Sequence, residues 1–165
     1  MEDTTGHQFQ KPSIKGLSKA VLVTGGAGYV GSHTCKFLAK NGFLPIVIDR
    51  DLKTKFKPAE FGPIFDITLP QEINRLDEII RRYNITSCIH FAGSASVAES
   101  VKDPSEYYKN NVIATIALLD KLIECDVKTF VYSSSAATYG DPGFRKCRES
   151  DVPNLSLIHI SEPTR

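Results

Sequence analysis

A glycine-rich turn directly follows the first apolar run of the sequence, and it is the segment with the clearest chemical meaning. Residues 20–24 read AVLVT and residues 25–31 read GGAGYVG, with glycines at 25, 28 and 31. Gly25 and Gly28 allow a tight turn and close approach of the backbone to a bound group, and Gly31 lets the following helix pack near the strand. The N-terminus of that helix offers free N–H groups and the positive end of the helix dipole. The spacing therefore predicts a phosphate cradle.

A carboxylate ends the second apolar run, where residues 44–49 read LPIVID. Asp49 follows the last glycine at roughly the 20-residue separation at which a carboxylate holds the ribose hydroxyls of a dinucleotide. Such a carboxylate repels a 2′-phosphate, which favours NAD over NADP. The guanidinium of the adjacent Arg50 can accommodate that phosphate and weakens the preference. The alternative is that Asp49 merely ends a strand.

A parallel sheet must hold these residues, and the hydrophobic pattern predicts one. Short β-branched runs alternate with helical patterns, as in βαβ units, and their near-continuous hydrophobicity is typical of strands covered on both faces. The predicted strands are 20–24, 44–49, 64–66, 87–91 and 129–133. The predicted helices are 30–40, 72–83 and 105–125, with Pro104 at the start of the third. Residues 51–62 are predicted as a loop with at most one helical turn.

Composition and charge limit the classes of partner. Lys plus Arg number 20 and Asp plus Glu 19 in 165 residues, so no strong field favours nucleic acid or an anionic membrane, and a small-molecule ligand is expected. No apolar run approaches the roughly 20 residues that span a bilayer. Residues 1–19 lack the apolar stretch of a secretory signal, which favours the cytoplasm. The four cysteines and four histidines show no metal-ligand spacing, so no metal is predicted and the thiols are expected to be reduced.

Four longer segments resemble the extended short-chain dehydrogenase/reductases and, among them, the UDP-glucose 4-epimerases. They read VLVTGGAGYVGSHT at 21–34, IHFAGSASVAESV at 89–101, DPSEYYKNNV at 103–112 and VYSSSAATYGDP at 131–142, in the family's order. The resemblance implies a Rossmann-like, doubly wound parallel sheet that binds NAD. It also implies a parent enzyme, expected as a homodimer, that epimerises C4 of a UDP-sugar by transient hydride transfer to NAD.

The resemblance also assigns roles to single positions. Ser135 matches the serine that hydrogen-bonds the sugar hydroxyl undergoing oxidation, and a hydroxyl suits this role because it both donates and accepts. For Asn110, a polar residue on a solvated helix face is the interpretation without the family match. The implied cofactor contacts are Gly25, Gly28, Tyr29, Val30 and Gly31 at the diphosphate, Asp49 at the adenosine ribose, Asp66 and Ile67 at the adenine edge, and Phe91, Ala92, Gly93, Asn110 and Ser133 elsewhere along the cofactor.

The family's mechanism also needs a tyrosine followed by a lysine four residues later. A phenol with a pKa near 10 is a poor base at neutral pH, so the lysine must favour the anion. None of the six tyrosines has such a lysine. The match fails at about Asn154, and residues 155–165, LSLIHISEPTR, resemble a translated sequencing adapter.

We therefore predict an N-terminal fragment, truncated after about the fifth strand and inactive alone. Its predicted parts are a flexible extension at 1–19, a partial NAD-binding domain at 20–154 and a non-native tail at 155–165, with a natural tail as the alternative. An unpaired sheet edge would make the isolated chain marginally stable. Two functional alternatives stay open. The run ATYG at 137–140 also resembles UDP-xylose/arabinose 4-epimerases, and a chain without the Tyr/Lys pair could be a non-catalytic NAD-binding module.

Overall fold

The computed structural model describes residues 19–52, 56, 58–140 and 145–154, and these contain one parallel sheet. Its order is β3-β2-β1-β4-β5, so the sheet grows outward from β1 in both directions. This is the doubly wound, Rossmann-like arrangement that the sequence predicts. The strands are β1 (Lys19–Thr24), β2 (Phe43–Asp49), β3 (Ile64–Asp66), β4 (Ser87–His90) and β5 (Thr129–Tyr132). Each predicted strand is confirmed to within one residue at either end.

The helices confirm the predicted pattern in two places and depart from it in two. They are α1 (Tyr29–Lys40), α2 (Ile73–Tyr83), α3 (Val97–Lys102), α4 (Pro104–Tyr108) and α5 (Ala114–Glu124). The helix predicted over 105–125 is not regular, because a π-helical turn, Lys109–Ile113, joins α4 to α5. The short helix α3 is absent from the sequence prediction. The loop predicted over 51–62 contains a single 3-10 turn in its described part, Pro58–Glu60.

Local side-chain caps explain where the two short helices begin. The Ser96 hydroxyl accepts a hydrogen bond from the backbone amide of Glu99 and starts α3. The Asp103 carboxylate accepts one from the amide of Glu106 at 3.0 Å and starts α4, with Pro104 at its first position. Side chains of this kind satisfy amides that have no partner inside a helix. The caps fix the path of the chain between β4 and the long helical stretch.

The core lies on both faces of the central strand. Leu22 of β1 packs on one face with Leu76 of α2 and Leu118 of α5. Val23 packs on the other face with Cys35 of α1. Because successive side chains of a strand point to opposite faces, β1 is enclosed on both sides. The glycine turn that follows β1 therefore leaves the sheet from a fixed position.

Two further observations concern the described residues alone. In the part of the chain that the structure describes, no helix is long and apolar enough to cross a membrane. The same residues contain no group of three or more His, Cys, Asp or Glu side chains placed to hold a metal ion. The predicted extension at 1–19, apart from Lys19, and the predicted tail at 155–165 lie outside the described residues and stay predictions.

Candidate functional site

A cleft of about 590 Å³ opens at the carboxyl ends of the strands, where the strand order reverses. Open parallel sheets bind ligands at this topological switch point, because the loops after β1 and β4 diverge there. The lining residues are Thr24, Gly25, Ala27, Gly28, Ile48, Asp49, Arg50, Asp51, Phe56, Ile67, Leu69, His90, Phe91, Ala92, Gly93, Ser94, Asn110 and Ala114. Apolar side chains and exposed backbone groups share this surface, as suits a ligand with both planar and polar parts.

The glycine turn packs so closely that two of its positions admit no side chain. Gly25 has a φ of +67°, and a Cβ there would lie 2.6 Å from the backbone nitrogen of Ala92. A Cβ on Gly31 would lie 2.3 Å from the carbonyl oxygen of Gly25. The turn is closed by a hydrogen bond from the Gly28 amide to the same carbonyl at 3.1 Å. The spacing of the three glycines thus brings the start of α1 against the cleft.

The Asp49 carboxylate is held in place by backbone amides at the end of β2. Its Oδ2 accepts a hydrogen bond from the Ala27 amide at 3.0 Å, and its Oδ1 accepts one from the Asp51 amide at 3.1 Å. Each carboxylate oxygen can accept more than one hydrogen bond, so both retain capacity for ligand hydroxyls. The carboxylate therefore orders the glycine turn and faces the cleft at the same time.

A buried chain of hydrogen bonds connects β1, β4 and α5 below the cleft. The Thr115 hydroxyl donates to the carbonyl oxygen of Asn111 at 2.8 Å, so it can only accept from His90 Nε2, 3.1 Å away. Burial favours the neutral imidazole. In that form Nδ1 accepts from the Thr24 hydroxyl at 2.6 Å, and Thr24 Oγ1 accepts from the Ala92 amide at 3.3 Å. This pattern assigns the proton of neutral His90 to Nε2. The chain positions the Ala92 amide at the cleft.

His90 is structural in this arrangement. Its side chain is 2% exposed, and burial lowers its pKa below the ordinary value of 6.5. The ring also stacks on Tyr132 of β5 with the ring centres 5.7 Å apart. Both ring nitrogens are engaged, so this histidine orders the ends of β1 and β4.

Two neighbouring asparagines hold the loop after β4. Asn111 Oδ1 accepts from the Ser94 amide at 2.7 Å, and Asn111 Nδ2 donates to the Ser94 carbonyl at 2.9 Å. Asn110 Nδ2 donates to the Ser94 hydroxyl at 3.4 Å and to the Glu106 carboxylate at 3.0 Å. Asn110 lines the cleft, and Asn111 holds the backbone of Ser94 in the loop beside it. No role for Asn111 was predicted from the sequence, although its position next to Asn110 in the same segment was the available signal.

The structure brings together eight of the fourteen residues assigned from the sequence. In the cleft lining lie Gly25, Gly28, Asp49, Ile67, Phe91, Ala92, Gly93 and Asn110. Outside the lining lie Tyr29, Val30, Gly31, Asp66, Ser133 and Ser135. Gly31 is buried against the glycine turn, and the side chains of Tyr29 and Val30 are exposed at the start of α1. Ser133 and Ser135 are exposed after β5, one strand beyond β4.

Other lining residues carry no assignment from the sequence. Thr24, His90 and Ser94 contribute polar groups, and Phe56 and Leu69 contribute apolar surface. Their common signal is position, because Thr24 and His90 end strands, and Leu69 and Ser94 lie in the loops that follow β3 and β4. That signal identifies a place in the fold and does not identify a role.

The parallel sheet, its glycine turn and the cleft at the reversal of strand order define a Rossmann-like α/β protein. The sequence profile of the NAD dependent epimerase/dehydratase family matches residues 21–163. The chain belongs to this family.

Individual relatives point the same way. The UDP-glucose 4-epimerase of Halalkalibacterium halodurans is 46% identical over 136 residues, which are 80% of this chain and 39% of that protein. The structure of UDP-glucose 4-epimerase from Brucella ovis in complex with NAD is 39% identical, with a TM-score of 0.73 over 84% of this chain and 42% of that chain. A UDP-glucose 4-epimerase from Stenotrophomonas maltophila with bound NAD and formylated UDP-arabinopyranose is 28% identical, with a TM-score of 0.75 over 87% of this chain and 45% of that chain. The chain thus spans about two fifths of the length of its curated relatives.

Proposed function

We propose that this chain binds NAD in the cleft and is the NAD-binding portion of a UDP-glucose/UDP-galactose 4-epimerase. The observation that carries the proposal is the geometry shared by the glycine turn and Asp49. The Ala27 amide donates to the Asp49 carboxylate at 3.0 Å, so a diphosphate cradle and a ribose-binding group face one cleft. Relatives that are UDP-glucose 4-epimerases support the reaction class.

The residues of the cleft fit this cofactor. The surroundings of Gly25 and Gly31 leave no room for a side chain. The backbone of the turn can therefore approach a diphosphate closely, as such a site requires. Asp49 would accept hydrogen bonds from the adenosine ribose, with Ile67 at the adenine edge, Phe91, Ala92 and Gly93 along the cofactor, and Asn110 beside them. Bound NAD would supply reversible acceptance of hydride from C4 of the sugar.

Ser135 is the proposed catalytic residue on this chain. It follows β5, and its carbonyl oxygen accepts a hydrogen bond from the Thr138 amide at 3.1 Å, which shapes the turn Ala136–Tyr139. Its hydroxyl would bind the sugar hydroxyl that loses its proton, and Ser133 would contact the cofactor. The 165 residues contain no Tyr-x-x-x-Lys, so we expect the chain to bind NAD without epimerising a UDP-sugar by itself.

The proposed partners follow from the same class. The substrate of the parent enzyme would be a UDP-sugar, either a hexose or a pentose. The parent enzyme would act in the cytoplasm and would bind neither nucleic acid nor a membrane. A homodimer is proposed because the long helical stretch exposes a row of apolar side chains, namely Val112, Ile113, Ile116 and Ile123. Light scattering after gel filtration tests the dimer, and a monomer at all concentrations would contradict it for this chain.

A non-catalytic NAD-binding module is the second candidate. The absence of the Tyr/Lys pair favours it, and the match of Ser135 to a catalytic serine favours the epimerase. The two differ in ligand range. An epimerase portion with NAD bound would still recognise a UDP-sugar weakly, whereas a module that only senses NAD would not.

Isothermal titration calorimetry with NAD⁺ tests the proposal. We expect the chain to bind NAD⁺, and Asp49→Asn to weaken binding about tenfold, the loss of a hydrogen bond to a charged group. Asp77→Asn is the matched control, because Asp77 lies on α2 and pairs with Arg81 away from the cleft. Absence of heat with both NAD⁺ and NADH would refute the proposal. Epimerisation by the 165-residue chain alone would refute the role of the missing tyrosine and lysine.

A further inference from the structure

The side chain of Arg50 reaches across the cleft from one loop to another. Arg50 follows β2, and its Nη2 lies 3.4 Å from the hydroxyl of Ser94 in the loop after β4. In the sheet, β1 lies between these two strands. Arg50 and Ser94 line the same cleft as Gly25 and Gly28. The guanidinium therefore crosses the carboxyl end of β1, where the glycine turn begins.

Arg50 is also the one arginine or lysine among the described residues that line the cleft. The other charged side chains of the lining are Asp49 and Asp51, and Asp49 already accepts hydrogen bonds from two backbone amides. A positive side chain in such surroundings would stabilise the two charges of a diphosphate beyond what the N-terminus of α1 provides. A guanidinium is well suited because it presents several donors in one plane and binds phosphate oxygens in pairs.

The contact between Arg50 and Ser94 is easily exchanged. Its length of 3.4 Å is at the outer limit of a hydrogen bond, the acceptor is uncharged, and the pair is exposed to solvent. The Ser94 hydroxyl has a second partner, Asn110 Nδ2, at 3.4 Å. The backbone of Ser94 is held separately by Asn111. Departure of Arg50 would leave the loop after β4 in place.

We propose that Arg50 is a cofactor-binding residue whose guanidinium exchanges Ser94 for the diphosphate of a dinucleotide bound at the glycine turn. The inference rests on the proposed binding of NAD in this cleft. Arg50 has a competing role, because a guanidinium next to Asp49 can also receive a 2′-phosphate on the adenosine ribose. The contact with Ser94 holds the guanidinium at the loop after β4, across β1 from the strand that bears Asp49. The structure thus favours the diphosphate.

Calorimetric titration of the 165-residue chain with NAD⁺, NADP⁺, ADP and adenosine separates these roles. We expect Arg50→Gln to weaken NAD⁺ and ADP by about tenfold and to leave adenosine unchanged, because adenosine carries no phosphate. Arg50→Lys keeps the charge without the planar fork and should recover part of the loss. Arg82→Gln on α2 is the control for removal of an exposed arginine outside the cleft and should match the unaltered chain.

Three other results of the titration would each lead to a different conclusion. Loss of NADP⁺ affinity alone in Arg50→Gln would overturn the proposal and assign the side chain to a 2′-phosphate. Equal affinities of Arg50→Gln and the unaltered chain for NAD⁺ and ADP would also overturn it, while the proposed binding of NAD would stand. If the unaltered chain gives no heat with NAD⁺ although circular dichroism shows it folded, the proposed function fails and the role of Arg50 fails with it.

Discussion

His90 Nδ1 lies 2.6 Å from Thr24 Oγ1, and these two residues are paired in register across β1 and β4. The hydrogen bond joins the ends of the two strands at which the sheet reverses its order. Because the Thr24 oxygen also accepts from the Ala92 amide, the same contact orders the loop that lines the cleft. The protonation state of one buried imidazole is therefore connected to the shape of the proposed cofactor site.

The stability of the chain should fall as the pH drops below about 6.5 because of His90. Burial lowers the pKa of this group in the folded chain from the 6.5 expected when unfolded. Between those two values the unfolded chain binds a proton that the folded chain does not, so the free energy of unfolding decreases with falling pH. The contribution is complete above pH 6.5. Urea denaturation at a series of pH values from 8 downward measures it.

The variant His90→Gln isolates that effect from the carboxylates, which titrate at lower pH. We expect it to destabilise the chain by about 1–3 kcal/mol at pH 8, since buried partners lose their hydrogen bonds. The dependence of stability on pH just below 6.5 should become shallower in the variant. An unchanged slope would show that His90 is not the group responsible.

Replacement of Gly31 by alanine should disrupt the glycine turn. The new methyl group would lie 2.3 Å from the Gly25 carbonyl oxygen, and its other nearest neighbours are also backbone atoms, of Gly25 and Gly26, which cannot move aside as a side chain could. We expect a loss of at least about 2 kcal/mol in stability and a loss of NAD⁺ binding. Thermal melts and calorimetry measure the two effects.

Gly42→Ala is the matched control for Gly31. Gly42 has a φ of +80°, and a Cβ there would meet no atom within 4 Å. Alanine at this position should cost about 1–2 kcal/mol through backbone strain and leave NAD⁺ affinity unchanged. Equal loss of binding in both variants would mean that general destabilisation, and not the turn, explains the result.

Asn111→Ala should be more damaging to stability than Asn110→Ala, although the two residues are neighbours of the same type. Asn111 satisfies both backbone groups of Ser94, at 2.7 and 2.9 Å, whereas the Asn110 side chain donates to two side chains, those of Ser94 and Glu106. We expect a loss of about 1–3 kcal/mol for Asn111→Ala and less than about 1 kcal/mol for Asn110→Ala. Urea denaturation compares them directly. A larger loss of stability for Asn110→Ala than for Asn111→Ala would contradict the role of Asn111 in holding the backbone of Ser94.

The thiols should react with iodoacetamide in an order set by burial. Burial raises the pKa of Cys35 and of Cys88 to about 12, so only about one molecule in 10⁴ carries either thiolate at pH 8. Cys147 is exposed. Peptide mass spectrometry should find Cys147 modified first and the two buried thiols modified only after unfolding in urea. Rapid labelling of Cys35 in the absence of urea would show that the packing of α1 on the sheet is wrong.

The strands were predictable from the sequence because the apolar pattern that defines them lies within each short segment. A buried parallel strand is apolar on both faces, so runs such as those of β1 and β2 stand out without knowledge of their neighbours. Helix α3 was not predicted because it is short and largely exposed, yet Ser96 and Glu99 form the pattern of a capping box and were a usable signal.

The polar contacts of the site were harder to predict from the sequence. The pairing of Thr24 with His90 depends on the register between strands 66 residues apart in sequence, and no local pattern contains that register. The role of Asn111 depends on how close the loop after β4 lies to the helical stretch that carries this residue, which the sequence does not reveal. The glycine turn and Asp49 could be recognised because a ligand's dimensions fix their spacing along the chain. The sequence shows that Arg50 is a cation, but the direction in which its side chain extends follows only from its contact with Ser94 in the structure.

The π-helical turn at Lys109–Ile113 bears on how insertions and deletions act in this protein. Such a turn accommodates one more residue than an α-helical turn does, so the chain holds a spare residue in the middle of its longest helical stretch. Removing one residue there would let the helix become regular while α4 and α5 keep nearly their relative orientation, because the π-helical turn holds the extra residue at almost the same total rotation. Removing one residue from the regular part of α5 would instead turn everything on one side by about 100° relative to the other. Either the asparagines would then rotate away from Ser94, or the leucines of α5 would rotate out of the core. A single-codon deletion should therefore be absorbed locally at the π-helical turn and act as a change of phase elsewhere in the helix.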